Sequence, residues 1–368
     1  MFKKGFKNIG YFIIVFLVIG LVGCKSHRIS EGEKVDIPKF TEVITLKREK
    51  DSLGIYNIEN GDISKAMETK DMVDVKYNNK NSAYVFINII EKGKELNKNK
   101  ITIIKNGKQT ILDNFYSASD IDISKEGNKI AYRSFKQDSL QSAEGMKIYD
   151  LENKKEIKIK SDVLVSGSLF KWLNEDEISL FKWLNEDEIL YYGINSEKEN
   201  KAKIYKYNVK ENKEEVYVDN IEGICTYFMP NGDNVLFLSR QGDKFSLSYY
   251  NKKDNSFKKI SEEVNQVYKG TKSTKNMYFL GKNDLENKDY LYKIDGSTLN
   301  LTKLTYDFPP KIDINGGIAS DKNGNIYFSG YEDLKEQPLN EIYVYKEKDD
   351  TVEIISDKEN SYHIMGER

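Results

Sequence analysis

Two histidines, two cysteines and an abundance of carboxylates are the groups from which this 368-residue chain could build chemistry. A Ser-His-Asp triad would have to rest on His363, because His27 lies in a charged N-terminal stretch. No Gly-x-Ser-x-Gly elbow occurs, so acyl transfer has no support. Zinc and copper sites need His or Cys clusters, and none is present. No glycine-rich loop of the phosphate-cradling kind appears, and no cofactor is expected.

The carboxylates leave more room. Asp120 and Asp122 are two apart in a strand-like stretch, so they should share one face. Paired there, and lining a cavity, they could do acid–base work, although solvation at a strand edge is the plainer reading. Asp321-Lys-Asn-Gly-Asn325 carries its glycine fourth rather than sixth, which departs from a calcium loop. A tight hairpin explains it better, as at Asn60-Gly61, Asn106-Gly107 and Asn231-Gly232. Residues 283–289 (NDLENKD) read as a solvated loop before they read as an ion site. The 25 tyrosines could stack on a sugar or peptide, but most are expected to be strand formers with wet hydroxyls.

The elements that would carry these groups emerge from self-similarity. One motif recurs: an apolar strand, a turn rich in Asn, Gly, Asp or Lys, then a strand of aromatic and β-branched residues. Residues 120–134 (DIDISKEGNKIAYRS) are its clearest copy, and a second hairpin follows each copy. That second hairpin is marked by Ile55, Ile101, Ile148, Ile204, Leu247, Leu291 and Ile342, in steps of 46, 47, 56, 43, 44 and 51 residues. The long step has a simple cause. Residues 168–178 (SLFKWLNEDEI) are repeated letter for letter as residues 179–189. The second copy is expected in the sheet and the first as a protruding loop or short hairpin.

A period near 45 with four short strands per unit predicts an all-β protein, a β-propeller. Six units run from about Met72 to Ser356, a lone strand remains near the C-terminus, and three remain after Glu42. One plus three makes a seventh blade, closing the ring by pairing N- and C-terminal strands. Seven four-stranded blades are expected, with six plus N-terminal additions as the alternative. Ser124-Lys-Glu-Gly127 before Lys129-Ile-Ala-Tyr132 resembles the repeat of TolB-type, WD40-like propellers, and Met229-Pro-Asn-Gly232 is the next nearest match. That resemblance implies a fold and no activity.

The N-terminus carries the other resemblance. Lys3, Lys4 and Lys7 precede an uncharged apolar run at residues 9–22 (IGYFIIVFLVIGLV), shorter than a spanning helix requires. It ends in Leu21-Val22-Gly23-Cys24, which resembles the lipobox of bacterial lipoproteins. The resemblance implies removal of residues 1–23 and lipidation of Cys24, leaving the chain anchored to the membrane on its extracytoplasmic side. Residues 24–39, charged and without period, read as a spacer, and residues 40–368 as the propeller.

Composition agrees with a globular exported domain: 39% hydrophobic, 32% charged, and net charge −2, or about −5 once the leader's three lysines are removed. No basic excess suggests nucleic acid. With Cys24 lipidated, Cys225 has no partner and should be a small buried hydrophobe. The expected function is a non-catalytic binding or scaffold module for an envelope protein or glycan. A carboxylate-based glycan hydrolase or lyase, and a solute- or peptide-binding component of a sensor or transporter, are the alternatives.

Overall fold

The computed structural model describes residues 34–50, 52–165, 181–195, 201–308, 310–332, 339–357 and 359–367. The lipobox-like residues 21–24, His27 and the first copy of the duplicated segment lie outside them, so the structural statements below concern the described residues.

Seven antiparallel sheets form the ring. Blade 1 shows the plan: Met72–Asn78, Ala83–Glu91, Lys98–Lys105 and Lys108–Leu112, from axis to rim. Blades 2 to 6 begin at Ser117–Ile123, Leu164–Val165, Ile224–Asn231, Val264–Lys272 and Lys311–Ile312. First strands of consecutive blades touch one another: Ile224–Asn231 touches Val264–Lys272, which touches Ile318–Ser320, the second piece of the blade 6 axial strand, and this identifies them as the axial ones.

Blade 7 is built from both ends of the chain. Val43–Arg48, Leu53–Glu59 and Asp62–Thr69 supply three strands, and Tyr362–Gly366 supplies the axial one. Tyr362–Gly366 runs antiparallel to Val43–Arg48, with Val43 opposite Gly366 and Lys47 opposite Tyr362. The ring is therefore closed by strand pairing, and no open edge remains at the seam.

The repeat period follows from packing. The residues that marked it, Ile55, Ile101, Ile148, Ile204, Leu247, Leu291 and Ile342, all lie in third strands and are all fully buried. Seven hydrophobic clusters result, one at each junction between neighbouring blades. The cluster joining blade 7 to blade 1 contains Ile44, Ile55, Val75, Tyr77 and Phe86, and is built like the others. A single blade could not bury both faces; seven in a ring bury every one.

Polar side chains add directional ties. The Oδ1 of Asn99 in blade 1 accepts from Ala118 N at 2.8 Å, and its Nδ2 donates to Ala118 O at 2.9 Å, holding the axial strand of blade 2. Asn340 does the same for the C-terminal strand, through Tyr362 N at 2.8 Å and Tyr362 O at 2.9 Å. Tyrosines behave differently from the sequence expectation of wet hydroxyls. Nine of them are among the largest fully buried side chains. Several hydroxyls bond main chain across a junction: Tyr77 donates to Glu42 O, Tyr217 donates to Asp233 O, and Tyr192 accepts from Cys225 N. An aromatic ring fills a wedge between twisted sheets, and its hydroxyl then reaches a partner at the far side.

Two local features refine the sequence reading. Asn60-Gly61 and Asn106-Gly107 have positive φ at both residues, the two-residue hairpin expected of Asn-Gly. Asn231 instead pairs with Asn234, so that turn is made by Gly232 and Asp233. The second copy of the duplication does enter the sheet: Phe181–Trp183 pairs with Glu188–Ile194. Leu164 and Val165 pair with the far end of the same strand, so the axial strand of blade 3 is made of two pieces.

Candidate functional site

An axial strand exposes alternate residues to the centre of the ring. In blade 1 Val75 and Tyr77 turn into the inter-blade cores, leaving Asp74 and Lys76 half-buried toward the axis. His363 comes from the C-terminal strand and Lys269 from blade 5. Blade 6 lies between those two blades in the ring, yet Lys269 Nζ stands 3.5 Å from His363 Nε2. The four residues thus form a polar cluster at the axis.

The tautomer of His363 follows from its partners. Nδ1 lies 2.7 Å from the carbonyl oxygen of Asn315, which can only accept, so Nδ1 carries the proton. Nε2 keeps its lone pair and faces the Lys269 ammonium. Burial, with Lys269 beside it, lowers the imidazole to about 4, while Asp74 acts in the opposite direction. His363 is therefore neutral, and its basic nitrogen is already engaged. Asp74 is paired with Lys76 at 3.4 Å. One carboxylate, two ammonium groups and a neutral imidazole make a site suited to holding a polar or anionic group, not a pair of carboxylates.

The carboxylates singled out in the sequence are separated by a bulge. Between Ser119 and Asp122 the register of the axial strand of blade 2 shifts, and Asp120 adopts φ +55°. Asp120 and Asp122 consequently lose the common face that strict alternation predicts. Asp120 forms an ion pair with Arg133 at 2.6 Å. Asp122 is fully buried and accepts from Trp183 N at 3.1 Å, tying blade 2 to blade 3. Both carboxylates hold structure.

The remaining candidates resolve similarly. Asp321 accepts from Asn323 N and Asn325 N and from the Tyr327 hydroxyl, closing a turn on itself. In the 283–289 loop, Asn283 Oδ1 caps Glu286 N, and Glu286 pairs with Lys303. Among the described residues no three His, Cys, Asp or Glu side chains gather as metal ligands would. Cys225 is buried, and burial pushes its thiol up to about 12, which leaves it protonated and unreactive.

The two ends of the ring differ. On one, here the turn face, lie the connections from first to second and from third to fourth strands. On the other, the loop face, lie the second-to-third connections and the links between blades. Nine of the twelve exposed large apolar residues among the described ones lie at the loop-face end. Leu140, Leu285 and Tyr306 ride its loops, while Val73, Leu164 and Ile224 begin axial strands around its mouth. On the turn face the corresponding residues are Ile37 and Phe257, which follows the turn into the fourth strand of blade 4. Single apolar residues are ordinary on any surface; their bias makes the loop face the more apolar end of the ring.

Known structures share the fold. The β-propeller domain of the Trilobed protease from Pyrococcus furiosus aligns at TM-score 0.54 and 15% identity, over 78% of this chain and 85% of that one. That domain is described as having an open velcro topology, whereas here the terminal strands pair. The uncharacterized protein lmo1340 from Listeria monocytogenes EGD-e aligns at TM-score 0.54 and 10% identity, over 89% of this chain and 95% of that one. TolB from Acinetobacter baumannii aligns at TM-score 0.47 and 13% identity, over 88% and 82%, a likeness too loose to argue from. Whole acylaminoacyl peptidases match as well, and this chain spans about half their length. No protein-family model matches the sequence, and no curated protein matches it. At such identities the likeness establishes a β-propeller and carries no activity.

Proposed function

We propose that the chain is a lipid-anchored envelope protein whose propeller is a non-catalytic binding module for an envelope protein or glycan. The observation that carries this reading is a contrast. The groups that could do chemistry are committed: Asp120 and Asp122 to structure, Asp74 to Lys76, and the His363 lone pair to Lys269. The loop face, by comparison, is broad, rigidly backed by seven sheets, and carries the exposed apolar residues. The lipobox resemblance at Leu21, Val22, Gly23 and Cys24 supports the anchor and the extracytoplasmic location. A partner would settle on the loop face, away from the tight polar turns.

Photo-cross-linking in intact cells tests this. A reactive side chain at Leu285, 79% exposed, should give one reproducible adduct, and Tyr306→Asp should weaken that adduct several-fold. A reactive group at the turn-face residue Glu152 should give none of it. Equal labelling from both faces, or no reproducible adduct from Leu285, would count against a loop-face partner.

The axial cluster favours a second reading, a receptor for a small solute or peptide. Lys76 and Lys269 could hold a carboxylate or phosphate while Asp74 and His363 position its neighbouring groups. A carboxylate-based glycan hydrolase or lyase would need several acidic or tyrosine side chains converging at the axial mouth. Asp74 is the one carboxylate in the cluster, and it is ion-paired, so nothing in the geometry favours that alternative.

A further inference from the structure

The path of the first described residues fixes where any N-terminal tether must leave the ring. Lys34 bridges to Lys108, and Val35 N donates to Gly107 O at 3.1 Å. Gly107 belongs to the turn between the third and fourth strands of blade 1, on the turn face. From there the chain crosses to the seam, where Phe40 packs edge-on against Tyr77 and Tyr84 with ring centroids 5.4 and 5.6 Å apart. Asn79 Nδ2 donates to Phe40 O at 2.9 Å. Residues 34–40 are thus a strap bound along the turn face, so residues 34–39, expected as spacer, belong to the ring. The exit point is Lys34, near the rim of blade 1.

We infer that the ring is held with its turn face against the headgroups of the bilayer and its loop face outward. The inference rests on the proposed lipidation of Cys24 and deepens it. Ten residue steps separate Cys24 from Lys34. Any linker of ten residues reaches about 36 Å at full extension, and a coil of that length spans roughly 17 Å on average. Strands of seven or eight residues give the ring a height of about 25 Å. To present its loop face to the membrane, the ring would have to draw the proposed tether up its rim over that height, beyond the average span of a coil of that length. The surfaces agree with this arrangement. The turn face carries short hairpins such as Asn60-Gly61 and Asn106-Gly107 and, among the described residues, two exposed large apolar side chains, Ile37 and Phe257, so it suits contact with headgroups without insertion. The apolar loop face is the one left free for a partner.

The test compares two fluorophore positions on the full-length lipidated chain, Glu152→Cys on the turn face and Leu285→Cys on the loop face. Cys225 stays unlabelled because it is buried. The protein is reconstituted into phosphatidylcholine–phosphatidylglycerol vesicles carrying a headgroup quencher. A height difference of about 25 Å should make quenching at position 152 at least about twofold stronger than at position 285. Equal quenching, or stronger quenching at position 285, on protein that floats with the vesicles would overturn the orientation. Failure to float would instead count against lipidation. In that case the same pair is read with residues 1–24 replaced by a histidine tag bound to nickel-chelating lipid. The strap leaves from the same point, so the same ranking is expected, and its absence there also overturns the orientation.

Discussion

A chain ending at Asn360 should fail to form a stable ring. The truncation removes the axial strand of blade 7, and with it Tyr362, Ile364 and Met365, all buried in the two clusters flanking the seam. At about 1.5–3 kcal/mol for each large buried side chain, the loss is roughly 5–9 kcal/mol before any ladder hydrogen bond is counted. A domain is typically stable by only about 5–15 kcal/mol. The deletion also bares the edge of Val43–Arg48, inviting association between chains. Expression should yield aggregate, or a soluble species without a cooperative unfolding transition. A synthetic peptide spanning residues 359–368 should restore the transition in trans.

Asn340→Ala is the milder companion. It leaves the amide and carbonyl of Tyr362 without their side-chain partner and should cost about 2–4 kcal/mol while the ring still closes. A chain ending at Asn360 that unfolds cooperatively at the full-length denaturant midpoint would show that the seam does not hold the fold.

The second large effect is on pH dependence. His363 is lowered to about 4 in the folded protein, chiefly by burial and then by Lys269, against an ordinary value of 6.5. Above pH 6.5 the imidazole is neutral folded or unfolded, so it makes no difference. As pH falls from 6.5 to 4 the unfolded chain takes up a proton that the folded ring excludes, and stability is lost at up to about 1.4 kcal/mol per pH unit. The total approaches roughly 3 kcal/mol near pH 4 and does not grow below it. Asp74, Lys76 and Lys269 are the charged groups facing the ring, so His363→Asn removes the titration while keeping a donor for Asn315 O. Urea unfolding at pH 7, 6 and 5 should show wild type losing stability faster than the variant. Parallel slopes would contradict the neutral, lysine-capped imidazole.

The sequence disclosed the architecture because architecture here is periodic. A fully buried aliphatic residue in each third strand sets a spacing near 45, and the spare strands at the two ends must pair for the ring to close. What escaped it depends on register and on distance around the ring. Asp120 and Asp122 read as neighbours on one face because nothing in their letters marks the bulge between Ser119 and Asp122. The axial cluster was illegible for another reason. His363 and Lys269 are 94 residues apart, on blades that are not adjacent, and meet only because first strands converge on an axis. Counting inward-facing positions in every first strand could have raised Lys269, but only with the register of each strand in hand. Tyrosine's letters show its strand preference alone, while the folded ring also uses it to fill a wedge between blades and staple across it.

The proposed tether bears most directly on the proposed function, because an outward loop face has meaning only on an anchored ring. Mass spectrometry of the N-terminal peptide from protein made in its own cells, paired with fractionation of wild type and Cys24→Ser, measures it. The expected result is a mature chain that begins at Cys24, carries a diacylglyceryl group on that sulfur and partitions with membranes, while Cys24→Ser is neither lipidated nor cleaved at that site. A wild-type chain that retains residues 1–23, or one that begins at Cys24 with a free thiol in the soluble fraction, would contradict the account.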